Sequence, residues 1–409
     1  MATLLPFKAL YFNPLKFKDL SDLIIPPYDN IPAGDDKKYL AKSPYNFAHV
    51  LLPTHADDDY SLAKTRLGQW RENHILVEDD TPGFYLYEQT FKVGNHAYRR
   101  DTLMTAVLLH DFKEAIIRPH ENTYQQYKAD RLRILSMTET NLSHIFGMAK
   151  DPQGELKSIY DQTRKNPPLM NATLQDVSQR VWRISDTDSA QIQSFFKDKP
   201  IYIVDGHHRY ESSLQYARQK NVVGQPNEPA ASMLFAIASS NDPALLCLPT
   251  HRLIKQRDGI HSVSPEALKA KFELSPTTEE AIRALTTHPV KIPRFALYQD
   301  GKAWMLTPKN PLALESDLGT LAMNSIVWSD HHLMADHFGI NESNRSSVVQ
   351  YERDFESLWA HRATAAAIIF HAPLSIANVT DVADEKRFLP QKSTFFYPKI
   401  VTGLVMRRH

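Results

Sequence analysis

The chain has 409 residues, of which 47 are basic (Lys or Arg) and 47 are acidic. This length predicts two or three folding units or one large α/β unit, and a hydrophobic fraction of 42% excludes disorder of the whole chain. The balanced charge argues against nucleic acid or an anionic membrane as the main partner, since such binding normally needs a basic excess. The single cysteine, Cys247, excludes an internal disulfide and a Cys-rich zinc site.

Hydropathy and the glycine pattern exclude further classes of protein. No apolar run approaches 18 residues and no signal peptide is evident, so we expect a cytoplasmic protein that does not cross a membrane. The 13 glycines form neither G-x-G-x-x-G nor a P-loop motif, so any phosphate chemistry must use another scaffold.

The first half of the chain alternates between helical and extended patterns. Apolar spacing predicts a helix over 58–74, a β-hairpin with strands at 84–90 and 98–110, and helices at 121–136, 156–163 and 188–197. A β-branched run at 200–204 predicts a buried strand that is followed by a helix over 210–220.

The second half begins with a strand at 233–238 and continues with helices at 264–272 and 277–286. Asp300-Gly301 predicts a tight hairpin turn between strands at 295–298 and 303–306, because this pair accepts positive φ angles. A helix over 317–336, a strand over 365–370 and a helix over 374–386 follow. This mixture of helices and strands predicts an α+β (mixed α/β) fold. We expect either two domains, at 1–255 and 256–409, or one integrated unit.

The sharpest candidate site is the sequence DGHHR at 205–209, where the buried strand ends and a helix begins. A helix N-terminus offers unpaired N–H groups and a partial positive charge, so this junction is suited to an anion. Gly206 permits close backbone approach, and Arg209 can bind a phosphate or carboxylate through two N–H groups. His207 and His208 suit proton transfer or metal ligation, and Asp205 can orient them.

The second candidate is RPHENT at 118–123, with Lys128 and Arg131 three residues apart on the following helix. A histidine and a carboxylate beside basic residues can act as a general base with a substrate clamp. Glu121 is the better base, because a carboxylate can also hold Mg²⁺.

The sequence contains three weaker candidate sites. Lys392, Ser393, Thr394 and Lys399 offer donors for a phosphate or a carboxylate, although a polar surface strand has the same composition. Asp29 follows a buried segment and can face a pocket. Residues 330–337 carry three histidines and two aspartates at helical spacing, a pattern more typical of a structural or solvated helix than of a metal site.

The whole chain resembles the bacterial and archaeal family catalogued as domain of unknown function 1015. The matching segments are PPYD at 26–29, RPHE at 118–121, KADRL at 128–132, DGHHRYE at 205–211, PQKST at 390–394 and PK at 398–399. Their order along the chain makes the resemblance specific, but the family implies no defined activity.

The DGHHR segment alone is similar to the phosphate-binding loop of the ParB/sulfiredoxin superfamily, which includes partition proteins, sulfiredoxins and free-serine kinases. This resemblance implies a ParB/sulfiredoxin-like core with large insertions and additional sheet elements. It also implies binding of a nucleotide or phosphate, with Glu121 activating a hydroxyl. Association of the family with serine biosynthesis points to serine or phosphoserine as the small molecule.

These observations favour phosphoryl transfer on a small metabolite, by a free-serine kinase or a phosphoserine phosphatase-like enzyme. ADP or ATP is the expected nucleotide, and Mg²⁺ held by Glu121 and Asp205 is compatible with the chemistry without being required. Two alternatives stay open: a metal-dependent hydrolase, and a ParB-like nucleotide- or DNA-binding regulator.

The predicted catalytic residues are His120, Glu121, Asp205, His207 and His208. The predicted phosphate- or substrate-binding residues are Asp29, Arg118, Thr123, Lys128, Arg131, Gly206, Arg209, Lys392, Ser393, Thr394 and Lys399.

Overall fold

The computed structural model describes residues 1–32, 34–52, 60–122, 125–257, 259–311 and 318–409, with the side chains of 125–127 left aside. The chain divides into two compact units, called here unit 1 and unit 2. Unit 1 comprises Met1–Pro119, Thr123–Leu246 and Pro398–His409, and unit 2 comprises His120–Asn122 and Cys247–Tyr397. The predicted domain boundary at 255/256 stays a prediction.

The mixture of strands and helices confirms the predicted α+β class. The strands are β1 Leu4–Leu5, β2 Leu10–Phe12, β3 Leu76–Glu78, β4 Tyr85–Val93, β5 His96–Leu108, β6 Ile117–Arg118, β7 Thr140–Asn141, β8 Ile145–Ala149, β9 Met170–Leu174, β10 Val177–Arg183, β11 Ile201–Asp205, β12 Ser232–Ser239, β13 Leu246–Leu248, β14 His251–Lys255, β15 Phe272–Pro276, β16 Phe295–Gln299, β17 Lys302–Pro308, β18 Val349–Glu352, β19 Ala365–His371, β20 Phe395–Tyr397 and β21 Arg407–Arg408.

Most of the α-helices are short, and the longest lie in unit 1. The α-helices are α1 Asp36–Leu40, α2 Ala48–Leu51, α3 Ser61–Glu72, α4 Gln125–Thr138, α5 Lys157–Thr163, α6 Ser189–Phe196, α7 His207–Gln219, α8 Pro265–Leu268, α9 Glu279–Leu285, α10 Ser325–Ser329, α11 Asp336–Phe338, α12 Arg345–Val348, α13 Phe355–Ala360 and α14 Ile376–Asp384.

Unit 1 is organised around one mixed sheet, in which nine of the described strands take part. Along the sheet the order is β6-β11-β8-β12-β5-β4-β10-β9, and β1 adds to β5. The predicted hairpin of β4 and β5 is present, and β12 pairs with β5 in antiparallel and with β8 in parallel orientation. β11 is antiparallel to β8, which places Asp205 opposite Phe146 near the beginning of β8.

The core of unit 1 lies between this sheet and the helices α5, α6 and α7. Apolar side chains from the sheet, such as Ile203 and Phe235, form one cluster with Ile159, Phe196 and Leu214 of the three helices. α7 therefore packs along the sheet with its first turn directly after β11, and this packing fixes the position of the DGHHR segment.

Unit 2 contains a six-stranded sheet among the described strands, in the order β15-β17-β16-β19-β14-β18. Successive residues of its strands enter different cores: Phe295 and Ile369 belong to one cluster, whereas Ala296, Ile368 and Phe370 belong to the other. Because side chains alternate between the two faces of a strand, both faces of this sheet are covered. Asp300 and Gly301 have φ of 51° and 72°, which confirms the predicted tight turn between β16 and β17.

Two helices predicted in unit 2 differ from the observed elements. The segment predicted as a helix over 264–272 forms only the four-residue α8, because Phe272–Pro276 pairs with β17 instead. The helix predicted over 317–336 is interrupted: Asn324 is extended and caps α10 through its side chain, and a π-helical turn occupies Asp330–Ala335. Residues 312–317 lie outside the described part of the chain.

Candidate functional site

The DGHHR segment forms a sharp corner in unit 1. β11 ends at Asp205, Gly206 adopts φ 95°, and α7 begins at His207. This φ lies in the left-handed region, which glycine enters without steric cost and other residues avoid. The corner therefore places the first turn of α7 directly after the end of β11. The backbone N–H groups of this turn have no hydrogen-bond partners within the helix.

One carboxylate holds two cations at this corner. Asp205 Oδ1 contacts Lys399 Nζ, and Asp205 Oδ2 accepts a hydrogen bond of 2.8 Å from Arg209 Nη2. The Asp205 side chain is 17% exposed. Burial alone raises the pKa of Asp205, but the positive charges of Lys399 and Arg209 outweigh it and bring the pKa below its ordinary value. Asp205 is therefore ionised at neutral pH and anchors cations.

The guanidinium of Arg209 is held from two further directions. Arg209 Nη1 donates to the backbone carbonyl of His144 and, at 3.2 Å, to Ser143 Oγ. A Cβ atom on Gly206 would lie 2.9 Å from Arg209 Nη2, closer than such atoms normally approach. Gly206 is thus required both for its φ angle and for the space that the guanidinium occupies.

The other cation, Lys399, is positioned by a buried pair of side chains. Gln89 Nε2 donates to the backbone carbonyl of Lys399 at 3.0 Å, and Arg100 Nη2 donates to the carbonyl of Pro398 at 2.5 Å. Arg100 is fully buried, and its guanidinium lies 4.5 Å from the ring centroid of Phe146. These contacts fix the backbone on which Lys399 reaches Asp205.

A second group of charged side chains lies on α4. The guanidinium of Arg131 lies 3.7 Å from the ring centroid of Tyr28 and forms an ion pair with Asp130. Tyr60 donates to the Asp130 carboxylate from the other side. Arg131 and Arg209 both line one cavity of about 40 Å³, so the structure brings these two predicted arginines together.

α4 is also tied to α7. Lys128 Nζ lies 2.7 Å from Glu211 Oε2, and Ser212 Oγ donates to the carbonyl of Lys128 at 3.0 Å. Lys128 thus joins α4 to α7 through Glu211, whereas Arg131 pairs with its neighbour Asp130 on the same helix and reaches another element through the ring of Tyr28.

The remaining predicted residues of unit 1 are placed around these elements. Arg118 lies on β6 beside β11, donates to the carbonyl of Ala115 and lies over the ring of Tyr202. His207 is buried and His208 is half-buried in the first turn of α7, while Asp29 is exposed in a short turn. Thr123 lies outside the described residues.

Unit 2 brings together the other predicted residues. Glu121 pairs with Leu389 in a parallel bridge, and Glu121 Oε1 accepts a hydrogen bond of 3.0 Å from the backbone N–H of Lys392. His120 is buried, and its Nε2 lies 3.1 Å from Thr394 Oγ1. Glu121 is thus extended, although the sequence predicted a helix from residue 121.

The loop of residues 390–394 meets Glu121 through its backbone. Lys392 adopts φ 56° and its side chain is exposed, so its N–H group, not its ammonium, contacts Glu121. Ser393 is buried and its hydroxyl donates to the carbonyl of Pro390. In this arrangement Ser393 stabilises the loop, Glu121 is half-buried and the side chain of Lys392 is exposed.

Several contacts of the unit 1 corner carry no recognisable signal in the sequence. Ser143, the His144 carbonyl and the Gln89–Arg100 pair hold the predicted cations from strands or loops remote in the sequence. They are ordinary sheet and loop residues until the fold brings them to the corner. Among the described residues, no group of three or more His, Cys, Asp or Glu is arranged to hold a metal ion.

A family model described as protein of unknown function (DUF1015) matches residues 4–330. The chain therefore belongs to this family, as the sequence predicted. No curated protein matches the chain.

The fold is similar to several solved structures. A conserved hypothetical protein from Pyrococcus furiosus is 13% identical with a TM-score of 0.38, covering 75% of this chain and 95% of that chain. A free serine kinase in complex with AMP is 12% identical with a TM-score of 0.37, over 74% of this chain and 91% of that one. SbnI from Staphylococcus aureus, with a C-terminal truncation, is 11% identical with a TM-score of 0.35, over 74% and 86%.

Within the described residues, no helix combines the length and the apolar character needed to cross a bilayer.

Replacement of Gly206 by alanine tests the double role of this glycine. We expect Gly206→Ala to lower the free energy of unfolding by about 1–3 kcal/mol, because it adds left-handed strain and a contact with Arg209. Gly224→Ala is the matched control, since Gly224 has φ 78° and a Cβ there would meet nothing within 4 Å, so this variant suffers the strain alone. Urea unfolding measures both, and equal losses would contradict a role for the Arg209 contact.

Acid should destabilise unit 1 through His144. Burial first, and then the charge of Arg209, lower the pKa of His144 to about 3. The unfolded state, with a histidine pKa of about 6.5, therefore binds more protons between these values, and stability falls as pH drops below about 6.5. We expect His144→Gln to reduce the pH dependence of urea-unfolding stability between about pH 6.5 and pH 5, while His409, whose pKa burial also lowers to about 3, retains its own contribution. His96→Gln, at an exposed position, is the matched substitution control. A slope unaltered by His144→Gln would contradict this assignment.

Proposed function

We propose that unit 1 binds a phosphate-bearing small molecule, a nucleotide or a phosphorylated metabolite, where β11 meets α7, and that the protein transfers a phosphoryl group. The observation that carries the proposal is the single ionised carboxylate of Asp205 holding both Lys399 and Arg209 beside the N-terminus of a 13-residue helix. Cations anchored beside a helix N-terminus are the arrangement that an anion requires.

The charges at the corner support an anionic ligand. Asp205 contributes one negative charge against the two positive charges of Lys399 and Arg209, so the trio has a net charge of +1. The N-terminus of α7 adds a partial positive charge of about half an elementary unit. The guanidinium can bind two oxygens of one phosphate, and the ammonium supplies a compact charge.

The fixed position of the Arg209 guanidinium supports a role in catalysis in addition to binding. Arg209 has three acceptors, Asp205, Ser143 and the His144 carbonyl, so little side-chain freedom remains to be lost when a ligand binds. In phosphoryl transfer the charge of the transition state spreads over the phosphoryl oxygens, and positioning with electrostatic stabilisation supplies most of the rate enhancement.

The resemblance to free-serine kinases suggests the reaction in more detail. In the kinase direction, the hydroxyl oxygen of serine takes the terminal phosphoryl group of ADP or ATP, the nucleotide leaves with one phosphate fewer, and the hydroxyl proton passes to a base. In the phosphatase direction, water attacks phosphoserine and serine leaves. Mg²⁺ bound to the phosphates would neutralise their charge in either direction.

The metal-dependent hydrolase has no comparable support, because the described residues contain no cluster of metal-ligating side chains. A DNA-binding regulator remains disfavoured by the balanced charge of the chain.

A thermal-shift screen tests the binding proposal. Serine, phosphoserine, ADP, ATP and pyrophosphate are added with and without Mg²⁺, and we expect a phosphate-bearing ligand to raise Tm; a ligand at 100 times its Kd adds about 2.7 kcal/mol. Arg209→Ala should abolish the shift. Arg218→Ala, at the other end of the same helix, is the matched control and should retain it. A shift that survives Arg209→Ala would remove Arg209 from the site.

Glu121→Gln tests the predicted role of Glu121 as general base. Glutamine can still accept the hydrogen bond from the Lys392 N–H, so we expect an unchanged Tm with a kcat about 100-fold lower or more. Glu385→Gln is the control, because Glu385 also accepts a backbone N–H, that of Thr320, in unit 2. Phosphoryl transfer from labelled ATP or ADP to serine, or release of phosphate from phosphoserine, supplies the rate, and wild-type turnover by Glu121→Gln would exclude Glu121 as the base.

A further inference from the structure

A second cavity lies in unit 1, at the end of the sheet away from Asp205. Its volume is about 490 Å³, within the range of small-molecule sites. Ala149 and Ser239, the last residues of the parallel strands β8 and β12, both line it. Asp205 pairs instead with Phe146, near the beginning of β8, so the cavity is separate from the proposed phosphate site.

The walls of this cavity combine an apolar surface with carboxylates. Apolar side chains come from α5, α6 and β12, and include Phe195, Phe196 and Ile237. Three aspartates also line the cavity, namely Asp101, Asp151 and Asp242. An apolar surface with a few convergent polar groups is typical of a site for a small organic molecule.

Tyr160 of α5 supplies the observation that points to a ligand. The residue is 7% exposed and lines the cavity, yet its hydroxyl has no hydrogen-bond partner among the described residues. The acidic groups that act on the phenol are Asp101, Asp151 and Asp242, so the hydroxyl end faces the cavity that they line. The ring of Tyr160 is buried, whereas its hydroxyl is accessible and available to donate or accept a hydrogen bond with a ligand in the cavity.

Two of the aspartates lack a cationic partner. Asp101 forms an ion pair with Arg164. The Asp242 carboxylate accepts hydrogen bonds only from the backbone N–H groups of Ala244 and Asp101. The Asp151 carboxylate accepts one from the backbone N–H of Glu155. Within the part of the chain that the structure describes, neither Asp242 nor Asp151 forms an ion pair.

The two basic side chains that line the cavity, Arg99 and Lys157, have other carboxylates as their nearest partners. Lys157 pairs with Asp161 outside the cavity lining, and Arg99 lies 3.9 Å from Glu88. The region of Asp151, Asp242 and the Tyr160 hydroxyl is therefore rich in hydrogen-bond acceptors and negative charge.

We propose that this cavity binds a small organic cation, a primary ammonium attached to an apolar group of about the size of one ring. The three N–H donors of the ammonium match Asp151, Asp242 and the oxygen of Tyr160, and the apolar group packs on Phe195 and Phe196. An anionic ligand would meet the carboxylates of Asp151 and Asp242, so we expect it to bind more weakly than a cation.

Three probes that differ in one functional group test this assignment on the full chain. Benzylamine is cationic at neutral pH, benzyl alcohol is neutral and benzoate is anionic, and binding is followed by calorimetric titration. We expect benzylamine to bind one equivalent at least ten-fold more tightly than benzyl alcohol, with no saturable binding of benzoate. Benzyl alcohol binding as tightly as benzylamine would overturn the cationic assignment, and no saturable binding of any probe would overturn the site.

Variants locate the binding in the cavity. Asp242→Asn should weaken benzylamine binding about ten-fold, and Tyr160→Phe, which keeps the ring, about three-fold. Glu228→Gln, a change at an exposed position outside the cavity lining, should leave it unchanged. Thermal unfolding verifies that each variant is folded, and if Asp242→Asn disrupts the fold, Tyr160→Phe decides alone. Wild-type affinity in a folded Tyr160→Phe variant would contradict the proposal.

Discussion

The ion pairs of Asp205 are the interaction on which the corner of unit 1 depends. The carboxylate is largely removed from water, so its charge is tolerable only because Lys399 and Arg209 both contact it. The same contacts hold the two cations at the beginning of α7. Without this carboxylate, Lys399 and Arg209 would repel each other beside a helix end that is itself positive, and Arg209 would keep only its contacts with Ser143 and the His144 carbonyl.

The rest of unit 1 maintains this trio. The sheet brings Asp205 to the end of β11, α7 packs against the sheet and carries Arg209, and Gly206 leaves the space that the guanidinium fills. Arg100 fixes the backbone near Lys399 from within the core. A fully buried arginine is costly in most proteins, and here it contributes by ordering the chain segment that carries Lys399.

The two ends of the sheet of unit 1 have opposite chemistry. At the end with Asp205, anchored cations and the N-terminus of α7 favour an anion. At the end with Asp242, carboxylates and an unpartnered Tyr160 hydroxyl favour a cation. The antiparallel pairing of β11 with β8 separates them, because neighbouring strands end at opposite edges of the sheet. One sheet therefore carries groups of opposite charge at its two ends.

The sequence by itself determined the local elements and the chemistry of the DGHHR corner. Strand, glycine and helix were readable there because apolar periodicity and the φ requirement of Gly206 are local properties. The tertiary structure alone decided which distant residues meet: Lys399 contacts Asp205, and Ser143 contacts Arg209, although 194 and 66 positions separate the members of these pairs. It also decided that the helix predicted over 264–272 ends at Leu268 and that Phe272 begins a strand, because Phe272–Pro276 pairs with β17. Such contacts depend on packing between remote segments, and no short window of sequence encodes them.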